Sequence, residues 1–341
     1  MVLATTAITH GEPVAARVNS AELRDFIDWC NHKEQLSGAE RHTVEVLLEK
    51  SQTDDCESAH EHLTQLTTLR LINQQIEDIK PISSLRNLTH LDLSDNPVQS
   101  LETLNLLVNL TELLLIAVEA EDYTPISALK SLNELKLAGN KIEEIEFISS
   151  LQTLEHLSLS SNRIEDISAL SQLKNLKSLW ISHNQIEDIS ALSDLSHLRV
   201  LGFFANQVSN IDVLSSLTGL EVLFASDNEI ETITPLESLS NLAFLSLSNN
   251  NIRDISSLSK LTHLRDLWLR NNQISDISSL SGLSHLERLW IDGNQIEDVN
   301  VGFTSPRLRL IIAFDNPLSS QSCPIQPESA CIFEAPENWE Q

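Results

Sequence analysis

The sequence predicts an α/β solenoid, a rod of stacked coils carrying one parallel β-sheet. Three observations predict it. Asparagine recurs with a fixed step of 22 residues at Asn96, Asn140, Asn162, Asn184, Asn206, Asn228, Asn250, Asn272, Asn294 and Asn316, and Gln74 and Val118 complete twelve positions without an insertion or deletion. Apolar residues recur at constant offsets from it, as in Leu151, Leu154, Leu157, Leu159, Ile164, Ile167 and Leu170 around Asn162. Within each unit, Leu157 and Leu159 alternate with His156, Ser158 and Ser160, which is strand periodicity. A strict period of this length means coils that pack only on their neighbours.

In chain order, residues 1–19 read as a disordered leader. Val2 to Ile8 is mildly apolar, has no preceding Lys or Arg, and is short for the core of a signal peptide, which is the alternative reading. Residues 20–62 read as a helical cap, since an open solenoid needs a polar end piece over its edge strand. Ser20 to about Gln35 reads as one helix with Leu23, Phe26, Ile27 and Cys30 on one side. Ser37 and Glu40 form a capping box that opens a second helix bearing Val44, Leu47 and Leu48. Asp54 or Asp55 caps a third, short helix leading into Leu63.

Residues 63–321 hold about twelve coils. Each coil has a strand of roughly five residues, then a tight corner where the asparagine amide bonds backbone groups that the turn leaves unpaired. On the return side, Ser168, Ser190, Thr234, Ser256, Ser278 and Thr124 share one position and are residues that cap helices. Pro81, Pro125 and Pro235 follow that position, and a 3₁₀ turn fits the short span. Residues 322–341 read as a C-terminal cap and tail, loose after Phe333.

Four cysteines flank the array: Cys30 and Cys56 before it, Cys323 and Cys331 after it. Twelve strands about 4.8 Å apart separate the two ends by roughly 55 Å, whereas bridged Cα atoms lie within about 7 Å. If disulfides form, they are therefore Cys30–Cys56 and Cys323–Cys331. One bridge per cap points to an extracellular or periplasmic location. Four reduced thiols in the cytoplasm is the alternative.

The pattern in Leu176, Leu179, Ile181, Asn184, Ile186, Ile189 and Leu192 resembles the 22-residue class of leucine-rich repeat, used by bacterial internalins and by the regulatory subunit of protein phosphatase 1. The resemblance covers about three quarters of the chain. It implies a curved rod with the sheet on its concave side, short irregular turns on the convex side, and protein ligands in the concavity. The disulfide-capped layout is similar to that of exported bacterial leucine-rich repeat proteins, cyanobacterial ones included.

Composition excludes several functions. Lys and Arg number 22 against 49 Asp and Glu, a net charge of −27, which repels nucleic-acid backbones and anionic membranes. No apolar run is long enough for membrane insertion. The eight glycines form no phosphate-cradling loop and there is no nucleophile elbow, so no enzyme and no cofactor are expected. The pairs Glu165-Asp166, Glu187-Asp188 and Glu297-Asp298 read as a solvated rim, with calcium the alternative despite the lack of EF-hand spacing. His263 and His285 hold equivalent positions without a third ligand, so no metal site is expected.

The strand residues between inward leucines point out of the sheet. The central outward column runs Arg70, Asp92, Leu114, Lys136, Ser158, Trp180, Gly202, Phe224, Ser246, Trp268, Trp290, Ile312. Three of five tryptophans share it; Phe204, Phe244 and Phe314 stand in flanking columns. Leu114 and Ile116, with Val118 at the corner, mark an irregular repeat that packs locally or meets something apolar. Large aromatics in a row suggest a protein-binding patch, with Asp266, Arg270, Arg288 and Asp292 setting its specificity. A stabilising tryptophan ladder is the alternative, as is a peptide or sugar ligand. The expected partner is a protein bound by a monomer; a cytosolic regulatory scaffold and a purely structural rod are the competing readings.

Overall fold

The computed structural model describes residues 18–118 and 120–335. Most of the expected leader and the last six residues lie outside that range. The chain forms one curved, unclosed parallel sheet of thirteen strands in sequence order. β1 is Thr68–Arg70, β6 Ser178–Trp180, β7 Val200–Gly202, β8 Val222–Phe224, β10 Asp266–Trp268, β11 Arg288–Trp290 and β12 Leu310–Ile312. From β1 to β12 the register advances 22 residues per strand, except that β12 is followed by a short thirteenth strand, Cys331–Ile332, added by the C-terminal cap. β1 to β12 are three residues long, shorter than the five expected: each ends one residue before its second inward apolar side chain, as the strand His156–Ser158 does before Leu159.

The corner asparagines explain that early turn. Asn206 Nδ2 donates to the carbonyls of Ile181 (3.1 Å) and Phe203 (2.8 Å), and its Oδ1 accepts from Ile186 N–H (3.0 Å). The same pattern repeats at Asn162, Asn250 and Asn294. One side chain thus satisfies the backbone of two coils, as buried polar groups require. The residue before each corner takes a positive φ, as at Ser161 (58°), Asp227 (55°) and Asn249 (55°).

A second polar column lies at the other end of the coil. Asn87, Asn109, Asn175 and Asn241 each donate to the carbonyl 23 residues earlier, and His197, His263 and His285 do the same through Nδ1. Between the two columns the interior is dry: Leu157, Leu159, Ile164, Ile167 and Leu170 are at most 2% exposed. Where Phe203 replaces the usual leucine or isoleucine, the next coil supplies Ala225, both fully buried, so volume is conserved across the rung.

The return turns are 3₁₀ segments such as Ser168–Gln172 and Ser256–Lys260. The capping assignment is corrected here. Ser168 and Ser256 are the first residues inside these turns, and the cap comes from the aspartate two residues earlier. Asp166 and Asp254 accept the backbone N–H of Ser168 (2.7 Å) and Ser256 (2.8 Å). Asp188 and Asp276 repeat the arrangement. The hydrogen bond from Ser256 N–H holds the Asp254 carboxyl below its ordinary pKa, and Ser278 does so for Asp276.

The N-terminal cap also departs from expectation. Ser20 to Gln35 is not one helix: 3₁₀ turns at Ser20–Glu22 and Lys33–Gln35 flank α1, Phe26–Asn31. A capping box between Asp25 and Asp28 starts α1 afresh, so the chain cannot run through. Phe26, Trp29 and Cys30 are buried. α2, Gly38–Ser51, starts at the Ser37–Glu40 capping box, and α3, Cys56–Thr64, at Asp55. Disulfides join Cys30 to Cys56 and Cys323 to Cys331, each with Cα atoms 5.6 Å apart.

Candidate functional site

The outward column carries its aromatics from β6 to β11, and the backbone decides how they lie. Trp180 stands at the end of β6, beside Gly202 of β7. A Cβ on Gly202 would sit 2.4 Å from Trp180 Cε3, so glycine lets the indole lie flat across the neighbouring strand. The ring thereby reaches Phe224 on β8, stacking at 5.6 Å between centroids and 28° between planes. Trp180 Nε1 donates to Ser178 Oγ (3.1 Å), which fixes the ring's direction. Two strands further on, Trp268 and Trp290 are paired in register and stack at 4.6 Å and 14°. All four rings are half-buried.

The flanking columns add charge. Arg288 forms a two-pronged pair with Asp266, Nη2 to Oδ2 at 2.9 Å with Nε on Oδ1. Its guanidinium stands 5.7 Å from the Trp290 ring centre, within cation–π range. Arg270 Nε donates to Asp292 Oδ2 at 2.8 Å. Asp266 and Asp292 are only 3% and 1% exposed, so their expected role as contact residues is corrected. They lie beneath the arginines and hold them; only Arg270 and Arg288 present charge outward. Burial pushes the Asp292 carboxyl above its ordinary pKa, against the pull of Arg270. The hydrogen bond to Asp266 raises the Arg288 pKa.

Phe204 is half-buried with His183 edge-on at 4.8 Å, and Phe244 is half-buried beside Asp266. Phe314 and Ile312 are buried, because the thirteenth strand covers the end of the sheet, and so they leave the outward face. The N-terminal half of the face is of another kind: Lys136 pairs with Glu134 (2.6 Å), Leu114 and Ile116 are half-buried, and Ile72 is exposed. Sequence reasoning missed Gly202 as part of the site, although a lone glycine in an outward column was visible. It also missed the burial of the two aspartates, although Asp266 and Arg288, like Arg270 and Asp292, are opposite charges one 22-residue step apart.

Comparison with known proteins places the architecture. A family profile described as leucine-rich repeats (2 copies) matches residues 152–197, 240–282 and 262–305, and a single-repeat profile matches 84–101. No curated protein sequence matches the chain. Among solved structures, an internalin, InlF, from Listeria monocytogenes is 27% identical over 87% of this chain and 95% of its own, with a TM-score of 0.75. Internalin C2 from the same organism is 30% identical over 68% of this chain and 91% of its own, TM-score 0.52. The ectodomain of the Arabidopsis thaliana receptor kinase GASSHO1/SCHENGEN3, solved with Casparian strip integrity factor 2, shares the fold at 22% identity, covering 86% of this chain and 40% of its own, TM-score 0.61. With its asparagine-cornered 22-residue coils and internalin neighbours, the chain belongs to the leucine-rich repeat family and is internalin-like.

Proposed function

We propose that the chain is an exported, non-catalytic binding module that holds a protein against the aromatic patch of its concave face. One observation carries the reading: two preformed aromatic stacks, Trp180 on Phe224 and Trp268 on Trp290, occupy a single outward column and stay partly exposed. From Trp180 to Trp290 is five strand steps, about 24 Å, the length of a helix or the width of a small domain. Rings already stacked lose little conformational freedom on binding, which is what an interface anchor needs. Arg270 and Arg288, clamped by buried carboxylates, supply orientation beside them. Leucine-rich repeat solenoids are commonly protein-binding modules, and the plant receptor ectodomain above was solved in complex with Casparian strip integrity factor 2. The two disulfides support an extracellular or periplasmic setting.

The test is affinity capture from the source organism's extract and culture medium, using the full chain and a Trp180→Ala, Trp268→Ala, Trp290→Ala variant with an unchanged far-UV spectrum. A partner retained by the parent and lost from the variant supports the reading. Equal capture by both rejects it. Titration of native material with a thiol reagent addresses export: no reactive thiol agrees with it, four contradict it.

A further inference from the structure

On the edge of the sheet beside the C-terminal coils, a shallow groove of about 520 Å³ gathers positive charge on a strongly acidic protein. Arg199, Arg265 and Arg307 line it, with His263 and His285 between them, and Glu221 is the single carboxylate present. Glu221 is already paired with Arg199. Arg265 and Arg307 make no ion pair or side-chain hydrogen bond among the described residues and are exposed. Elsewhere on the rod basic residues are mostly neutralised in place, as Lys177 is by Glu155 (2.6 Å) and Lys174 by Asp194 (2.7 Å). Two uncommitted guanidiniums therefore share one groove. The net charge of −27 does not cancel them, because at physiological salt fields fade over about 8 Å and the local balance decides.

We propose that this groove binds a phosphate group, free or as a monoester. The guanidinium fork matches phosphate oxygens two at a time. The histidines point to phosphate over sulfate. Each ring's Nδ1 lies 2.9 Å from a backbone carbonyl, of Ser240 and Thr262, and a carbonyl only accepts, so Nδ1 carries the hydrogen. In the neutral ring Nε2 is left as an acceptor. The two rings stack at 5.7 Å and 18° and both line the groove, with Nε2 the nitrogen that no protein hydrogen bond uses among the described residues. A phosphate monoanion has an O–H to donate there while its other oxygens take the arginines; sulfate near neutral pH has none. The site is separate from the aromatic column and stands whether or not that column binds protein.

Isothermal titration of the full chain with inorganic phosphate, at constant ionic strength, tests it. Saturable one-to-one binding is expected, weakened at least tenfold by Arg265→Gln with Arg307→Gln and several-fold by His263→Asn with His285→Asn. Asparagine is the residue that Asn241 places in the same column, with its carbonyl hydrogen bond intact, so the second variant keeps the fold. Trp268→Ala should leave phosphate affinity unchanged. A sugar phosphate run in parallel distinguishes the sources: tighter binding than inorganic phosphate assigns the site to an ester, weaker binding to the free ion. No saturable heat with the parent, or equal affinity in the arginine variant, overturns the site. Sulfate binding as tightly as phosphate overturns the assignment to phosphate.

Discussion

Gly202→Ala is the sharpest probe of how the patch is built. The new methyl would fall 2.4 Å from Trp180 Cε3 and 2.7 Å from Cζ3, where carbon atoms settle at about 3.5–4.0 Å. The indole must therefore retreat by more than about 1 Å, and it leaves Phe224 when it does. Loss of that stack costs about 0.5–1.5 kcal/mol. Replacing glycine by alanine at an ordinary strand φ returns about 0.4–1 kcal/mol by restricting the unfolded chain. Global stability should consequently change by less than about 1 kcal/mol, while the Trp180 ring is displaced. Near-UV circular dichroism and tryptophan fluorescence report the ring, and thermal melting reports the fold. The variant should lose part of the near-UV signal, keep its melting temperature within a few degrees, and hold a captured partner at least tenfold more weakly. An unchanged near-UV spectrum with unchanged capture would refute the claim that this glycine seats the tryptophan.

Other expectations concern the scaffold. Asn206→Ala strips the carbonyls of Ile181 and Phe203 and the N–H of Ile186 of their partner, and should cost about 1–3 kcal/mol in denaturant unfolding; a parental midpoint would sink the ladder argument. Cys30→Ser with Cys56→Ser opens a loop of 26 residues and should cost about 3 kcal/mol by the same measurement. Arg270→Gln leaves the Asp292 carboxylate buried without its cation, costing about 3 kcal/mol at neutral pH. Because burial already raises the Asp292 pKa, its favourable protonated state is complete in acid and is lost as pH rises through the shifted value, so the cost of this variant should grow with pH; a pH-independent cost would contradict the assignment. Asp254 and Asp276 have the opposite sign: their pKa values are lowered in the fold, so the stability they confer should be lost as pH falls below the usual carboxylate range, and Asp276→Asn should flatten that part of the profile.

The period made the coil legible because translation repeats every requirement: a corner needs its asparagine, and an interior position its leucine, at each rung. The same logic made the C-terminal outward aromatics legible, since an outward residue of β6 is outward in β11. Legibility ended where a residue answers to its neighbours across the sheet and not to its column. Asp266 and Asp292 sit at outward offsets, yet Arg288 and Arg270 from the next and previous coils close over them. Phe314 and Ile312 hold outward offsets too, and lose them to a terminal strand whose position the repeat does not encode. Ser168 was misassigned because serine and aspartate both cap helices. Only the geometry of a 3₁₀ turn places the accepting oxygen two residues earlier, on Asp166.

These exceptions explain how one scaffold can carry a specific face. Substitutions at outward offsets leave the buried leucines untouched, so aromatics and charges can vary along the rod at little cost to the fold. What they must satisfy is lateral. Trp180 requires glycine on the next strand, and Trp268 a flat partner on the next. Arg270 and Arg288 each take a carboxylate one coil away. A flexible arginine on open sheet would lose much rotamer freedom on meeting a ligand, whereas one pinned by a buried aspartate has lost it already on folding. On this view the aspartates work through the arginines. Asp292→Asn should therefore weaken partner binding by slackening Arg270, and Arg270→Ala should remove the same contribution, so the double variant should be no worse than the worse single one. Additive losses would mean that Asp292 meets the partner itself, which its 1% exposure excludes unless the face rearranges on binding.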